Sequence, residues 1–330
     1  MRRPLGLLLS EAVDREQGER IDAVAAAAGV PLRRWTMSRA ADQLAAIDLA
    51  FFSRELYEGS SLRKPGPASD AFFALADAAP HLRWLHVCSS GLDLPQYGPT
   101  LARGVRVTGS SGTTAVPIAQ NVLAAVLAQS RGFTHWLQAQ REHAWRPLVG
   151  AGRPRDTAGQ RAIVIGAGPI GCEIARLLGL VGFHTTAVRR EARPTKPFDE
   201  TVAFDALDAL LPGCDWLVLA LPLTDETRGL IDARRLSLMP PTARLANIAR
   251  GELIDEPALA RALQDGRLSG AYLDAFGEEP LPAGSPFWSL PNVWVTPHNS
   301  SASQGHERRV VDSFLAELGS WLRMQPTSPL

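Results

Sequence analysis

Residues 162–171 read Ala162-Ile163-Val164-Ile165-Gly166-Ala167-Gly168-Pro169-Ile170-Gly171. Four consecutive apolar residues ended by a glycine are the pattern of a strand buried on both faces. The glycines follow the spacing GxGxxG, and Cys172–Leu180 continues as an apolar helix. Strand, glycine turn and helix in that order fit a dinucleotide. One glycine makes the tight turn, a second lets the backbone approach a diphosphate, and a third lets helix and strand pack closely. The diphosphate then meets the positive end of the helix. The spacing therefore predicts that Gly166, Gly168, Pro169, Ile170 and Gly171 hold a dinucleotide.

Outward from this unit the same alternation recurs. Toward the start of the chain, Leu5–Leu9 reads as a strand and Glu11–Ala28 as a helix closed by Gly29. Ile47–Phe52 is strand-like, Ala68–Ala79 helical, and Leu82–Val87 a strand entering the small-residue turn Ser89-Ser90-Gly91. Val116–Ser130 is a long Ala/Leu/Val helix, and 141–159 a polar connector rich in Gly and Pro. Beyond the glycine turn, His184–Val188, Trp216–Leu221 and Arg244–Ile248 read as further strands. Strand followed by helix, repeated, predicts right-handed crossovers and parallel sheets.

Composition narrows the function. The 330 residues hold 34 Lys+Arg against 34 Asp+Glu, without the basic surplus that tracks a phosphate backbone, so no nucleic-acid partner is expected. Cys88, Cys172 and Cys214 are far apart and form no metal-ligand spacing. No metal site and a reducing, cytoplasmic setting are the expectation. The opening apolar run Leu5–Leu9 is cut short by Glu11 and is too brief for a leader, and no stretch approaches a membrane span.

The end of the strand after the glycine turn discriminates between dinucleotides. An acid there accepts from the 2′-hydroxyl of NAD, whereas this chain has Arg189 and Arg190. Guanidinium groups bind a 2′-phosphate in bidentate fashion, so NADP(H) is the preferred cofactor. NAD(H) stays the alternative because Glu191 follows two positions later.

The blocks CDWLVLALPLTDETRGLI, LANIARGELIDEPAL, GAYLDAFGEEPLP and NVWVTPHNS follow in order between Cys214 and Ser300. With the glycine turn, SSGLD and RGVRVTGSSG, they resemble the D-isomer-specific 2-hydroxyacid dehydrogenases. The resemblance spans most of residues 82–310. It departs at Arg189, at Gly109 where an asparagine is frequent, and at Gln120 where an acid is common.

That resemblance implies an α/β fold of two doubly wound parallel-sheet domains, Rossmann-like and flavodoxin-like. A dinucleotide-binding domain, 110–299, is inserted into a substrate domain made of 1–109 and 300–330. It implies Arg250 as the substrate-orienting arginine, His298 as the catalytic acid and Glu279 as its carboxylate partner. Ser89, Ser90 and Gly91 would hold the substrate carboxylate through backbone amides. Leu221, Pro222 and Ile248 would line the cofactor site, and Asp274 would accept from the nicotinamide carboxamide. The helix from Val116 and the connector would form a homodimer interface, with Trp145 where some glyoxylate/hydroxypyruvate reductases carry an aromatic across the dimer. His135, His143 and His306 lack an acid-plus-arginine context and read as surface or helix histidines.

Chemistry agrees with those roles. Reducing a 2-keto acid needs a carboxylate anchor, a polarised carbonyl and a proton for its oxygen. A planar guanidinium meets the first two needs, and an imidazolium backed by a carboxylate meets the third. The implied activity is NAD(P)H-dependent reduction of glyoxylate, hydroxypyruvate or a similar small 2-keto acid to the D-2-hydroxy acid. NAD-dependent oxidation of a D-2-hydroxy acid and a non-catalytic, dinucleotide-sensing corepressor are the alternatives.

Overall fold

The computed structural model describes residues 3–60 and 64–324. The backbone forms two units. One takes the described residues as far as Thr113 and again from Ser303, and the other is Thr114–Ala302. These boundaries fall a few residues beyond the breaks expected from sequence, for a local reason. Arg309 Nε donates to the Thr113 carbonyl and keeps that residue with the first unit. The Asp274 carboxylate accepts from the Ser300 amide and keeps that residue with the second.

The first unit is built on β1 (Leu5–Leu9), β2 (Leu32–Thr36), β3 (Leu49–Phe52), β4 (Trp84–Val87) and β5 (Arg106–Gly109). All pairings are parallel, in the order β2-β1-β3-β4-β5. Helix α1 (Glu11–Ala27) starts where the Ser10 hydroxyl accepts from the Val13 amide, satisfying one of the donors a helix start leaves open. Helix α2 (Pro67–Ala78) has proline at its first position, where the missing amide costs nothing. β1, β3 and β4 are buried throughout apart from partly exposed Leu5. The helix His306–Arg323 closes one face, its Phe314 ring stacked 4.1 Å from Phe51.

The second unit carries β6 (Arg161–Ile165), β7 (His184–Arg189), β8 (Glu200–Ala203), β9 (Trp216–Leu219), β10 (Arg244–Asn247), β11 (Gly270–Leu273) and β12 (Val293–Val295). They form one parallel sheet in the order β12-β11-β10-β9-β6-β7-β8. Alternate side chains feed two cores. Ile163, Ile165, Leu217, Leu219 and Leu245 face one side, and Ala162, Val164, Trp216, Val218 and Ala246 the other. Burial on both faces explains why these strands read as unbroken apolar runs. Helix α3 (Ala115–Ser130) packs on the second face and closes it with Ser130, whose hydroxyl accepts from the Trp216 indole at 3.2 Å. Helices α4 (Phe133–Arg141) and α5 (Pro169–Leu180) follow.

Several elements differ from the sequence expectation at their ends. β9 stops at Leu219 and β10 at Asn247, short of Leu221 and Ile248, because the following residues leave the ladder to form loops at the sheet's carboxyl edge. Helix α5 begins at Pro169 rather than Cys172, again with proline in the first turn. The connector 141–159 holds one short 3₁₀ turn, Gly150–Gly152. No helix among the described residues is long and apolar enough to cross a membrane.

Candidate active site

The order of the seven-stranded sheet reverses direction between β6 and β9, and open α/β sheets bind ligands outside the strand ends at such a point. The glycine turn lies there. Gly166 adopts φ 105°, and a Cβ on it would stand 2.3 Å from the Ala220 carbonyl oxygen on the neighbouring strand's extension. A Cβ on Gly171 would stand 2.0 Å from the Gly166 oxygen, so both residues are dictated by the chain's own packing. Gly168 differs. Its Cβ would meet nothing within 4 Å, yet it caps α5 and fronts the first-turn amides of Ile170 and Gly171. A glycine that the fold does not need, placed at a helix start, fits a diphosphate drawn close to backbone.

Arg189 ends β7, and its guanidinium donates to the Thr195 hydroxyl at 2.8 Å. Burial raises the Cys172 thiol, and the charge of Arg189 acts against that rise. Arg190 is turned outward, 3.9 Å from Glu226 in a pair more than four-fifths exposed. Glu191 is exposed. Leu221 and Ile248 are buried at the ends of their strands, and Pro222 is exposed beside Leu221.

The three expected catalytic residues come together in this unit. Asn247 accepts from the Ala249 amide and donates to the Arg250 carbonyl, which fixes the loop after β10. His298 Nδ1 lies 2.9 and 3.1 Å from the two Glu279 oxygens, and the Phe276 amide donates to Glu279 Oε1 at 2.9 Å. The Glu279 side chain is 13 % exposed and that of His298 30 %. Burial alone would raise the Glu279 carboxyl. The bonds from His298 and the Phe276 amide, together with the charge of Arg250, hold it below its ordinary value. Glu279 is therefore an ionised base for the imidazole, and Nε2 is left without a protein partner among the described residues.

His298 has φ 49°, in the left-handed region that few residues with a Cβ adopt. Asp274 explains how it stays there. This carboxylate, which the family resemblance offers to a nicotinamide carboxamide, is 2 % exposed, and its oxygens accept from the Thr296 hydroxyl at 2.6 Å and from the Asn299 and Ser300 amides at 2.8 and 3.2 Å. The Ser300 hydroxyl donates to it as well. Every oxygen is occupied by the segment on either side of His298, so Asp274 is a clamp on the histidine's turn.

A family model described as D-isomer specific 2-hydroxyacid dehydrogenase, NAD binding domain, matches residues 123–300. The chain belongs to this family. Its members are NAD(P)-dependent oxidoreductases, and so is this protein. A glyoxylate reductase of Thermococcus gammatolerans is 36% identical over 236 residues, covering 69% of this chain and 70% of its own. Glyoxylate/hydroxypyruvate reductase B of Pectobacterium atrosepticum is 33% identical over 262 residues, covering 76% and 80%. Among solved structures, the NADPH-dependent glyoxylate/hydroxypyruvate reductase of Sinorhizobium meliloti, in complex with NADP and sulfate, aligns over 98% of this chain and 97% of its own. Its TM-score is 0.71 at 26% identity.

In the first unit of this dehydrogenase, Ser89-Ser90-Gly91 follows β4 at the sheet's carboxyl edge. The Ser89 hydroxyl donates to the Gly91 carbonyl at 2.7 Å, and its carbonyl accepts from the Ser110 amide. The departure at Gly109 has a steric reason, since a Cβ there would lie 2.7 Å from the Ser89 oxygen. Gln120 is exposed on α3, and nothing in the structure explains it. His135 and His143 are exposed. His306 is the first residue of its helix and is 8 % exposed.

The carboxylate–imidazole pair yields a prediction. Glu279→Gln keeps the side chain's size but replaces the anion that faces His298 Nδ1 with a neutral amide. The kcat for reduction should fall by about tenfold or more while the dinucleotide Kd stays within a few-fold. Steady-state turnover with a dinucleotide titration checks this, and unchanged turnover excludes Glu279 as the partner.

Proposed function

We propose that this dehydrogenase reduces a small 2-keto acid, glyoxylate or hydroxypyruvate, to the D-2-hydroxy acid with NADPH. The observation that carries the reading is the ionised Glu279 bonded to His298 Nδ1 beside Arg250. Arg250 orients the acid and polarises its carbonyl through a planar fork. A reduced nicotinamide, when bound, would supply the hydride. His298 Nε2, the ring nitrogen turned away from Glu279, delivers the proton to the carbonyl oxygen, and Glu279 steadies the imidazolium before that transfer. The amides of Ser89, Ser90 and Gly91 offer the carboxylate donors in the first unit. Gly168 and Arg189 are what favour a dinucleotide with a 2′-phosphate. The direction follows the relatives named as reductases.

Turnover of glyoxylate and hydroxypyruvate with NADPH and NADH, and of D-glycerate with NAD and NADP, tests this directly. Reduction with NADPH at the highest kcat/KM is expected, and faster NAD-dependent oxidation overturns the assigned direction. Two supporting features concern the setting. The three cysteines are unpaired, as a reducing cytoplasm maintains them. Phe133, Trp136 and Leu137 on α4 are each at least two-fifths exposed and Trp145 is 96% exposed, an apolar face for a second copy of the chain. Sedimentation at a monomer's mass overturns the dimer.

A further inference from the structure

The five-stranded sheet has its own reversal point, between β1 and β3, and the residues that follow those strands crowd its carboxyl edge. After β1 comes Ser10 and after β3 come Ser53, Arg54 and Glu55. Glu55, the carboxylate next to Arg54, is taken by hydroxyls. Ser53 donates to its Oε1 at 2.7 Å, and Ser10 donates to the same oxygen. Arg54 is half-buried, with its guanidinium 5.3 Å from the centre of the Tyr57 ring. Among the described residues it makes no hydrogen bond and no ion pair.

The ladder sets Arg54 beside the substrate-side turn: Phe52 pairs with Val87, and the Cys88 amide donates to the Phe52 carbonyl at 2.9 Å, immediately before Ser89-Ser90-Gly91. Burial raises the Cys88 thiol, and the charge of Arg54 acts against that rise. That charge is also felt by His306, which burial, with Arg54 and then Arg309, pushes down to about 4. Arg309 itself is occupied by neutral acceptors, the Thr113 carbonyl and the Ser303 hydroxyl, each at 2.7 Å. The edge therefore concentrates two guanidiniums around a neutral imidazole. The adjacent carboxylate, Glu55, has its Oε1 engaged by the hydroxyls of Ser10 and Ser53. A half-buried arginine left in that condition is a donor fork awaiting an anion.

We propose that Arg54 is a specificity-determining residue that binds a second carboxylate on the substrate, so that 2-keto dicarboxylic acids are preferred over uncharged 2-keto acids of equal length. The proposal rests on the reading that the turn at Ser89-Ser90-Gly91 receives the first carboxylate. The turn and Arg54 share one sheet edge, which gives a diacid two anion sites and a monoacid one. The fixed fork of Arg54, stacked near Tyr57, matches a carboxylate better than a mobile lysine does.

The test compares 2-oxoglutarate with 2-oxopentanoate, and oxaloacetate with 2-oxobutanoate, in the unmodified enzyme, in Arg54→Gln and in Arg54→Lys. The expected result is a diacid preference in kcat/KM that falls about 10- to 100-fold in Arg54→Gln, the scale of one lost charge-assisted bond, with partial recovery in Arg54→Lys. Calorimetric titration of the same acids without turnover is run in parallel. Equal ratios in the unmodified enzyme and Arg54→Gln overturn this inference and leave the reductase reading standing. Absence of any 2-keto acid turnover, with diacid binding still lost in Arg54→Gln, overturns the reductase reading and leaves this one. No diacid preference in either measurement overturns the role of Arg54.

Discussion

Replacing His298 by asparagine is expected to lower kcat for 2-keto acid reduction by about two to four orders of magnitude, the usual contribution of a positioned general acid. Asparagine suits the position. It tolerates the left-handed backbone that His298 adopts at φ 49° better than most residues, and its amide can still donate to Glu279. What it cannot do is give up a proton. The clamp from Asp274 acts on backbone amides and on Thr296 and Ser300, none of which the substitution touches. Loss of turnover should therefore come without unfolding. With the dinucleotide held by the glycine turn and Arg189 as proposed, its Kd should stay within a few-fold of the unmodified value. Steady-state turnover and dinucleotide fluorescence titration check both halves. Turnover near the unmodified level removes His298 from the acid's role.

How much of this was legible in the sequence depended on the range of the forces involved. The glycine turn was readable because its causes are local: a buried strand, a tight turn and a helix start within ten residues. Arg250, Glu279 and His298 were a different case. Each alone resembles an exposed ion pair or a capped turn, and only the ordered blocks of the family resemblance singled them out. The hold of Asp274 on the turn of His298 was not legible because its partners lie 22 to 26 residues further along the chain. No spacing rule connects an acid after one strand to amides after the next. The strands β2, β5, β8 and β12 went unread because they lie at sheet edges, where polar residues such as Arg33, Arg34 and Glu200 are tolerated, and β11 because it is only four residues long, Gly270–Leu273. Arg54 carried no motif at all. Its significance comes from Ser10 and Ser53 engaging Glu55, a contact that crosses from one strand end to another.

The cofactor is where this chain departs from the NAD-using pattern, and there the physics has a definite sign. Arg189 ends β7, the position at which an acid would accept from the 2′-hydroxyl of NAD. A guanidinium cannot accept that bond, but it neutralises a 2′-phosphate through charge-assisted bonds of about 1.5–3 kcal/mol each. One such bond is enough for NADPH to be preferred over NADH by more than about tenfold in kcat/KM, since about 1.4 kcal/mol is a factor of ten. The difference should lie chiefly in KM, because the adenosine phosphate is remote from the reacting carbon. Arg189→Asp replaces an attraction with a repulsion and restores an acceptor for the ribose, so the preference should reverse. The Thr195 hydroxyl that accepts from Arg189 donates its own proton to the Arg193 carbonyl at 2.8 Å, so the loop keeps that bond and loses only the Arg189 donor. Arg190 faces Glu226 in an exposed pair, and such pairs contribute little, so Arg190→Ala should cost NADPH far less than the change at Arg189. The ratio of kcat/KM for the two cofactors, measured for all three proteins at one ionic strength, decides the matter. An unmodified enzyme that uses both equally well would mean that Arg189 serves Thr195 rather than the cofactor.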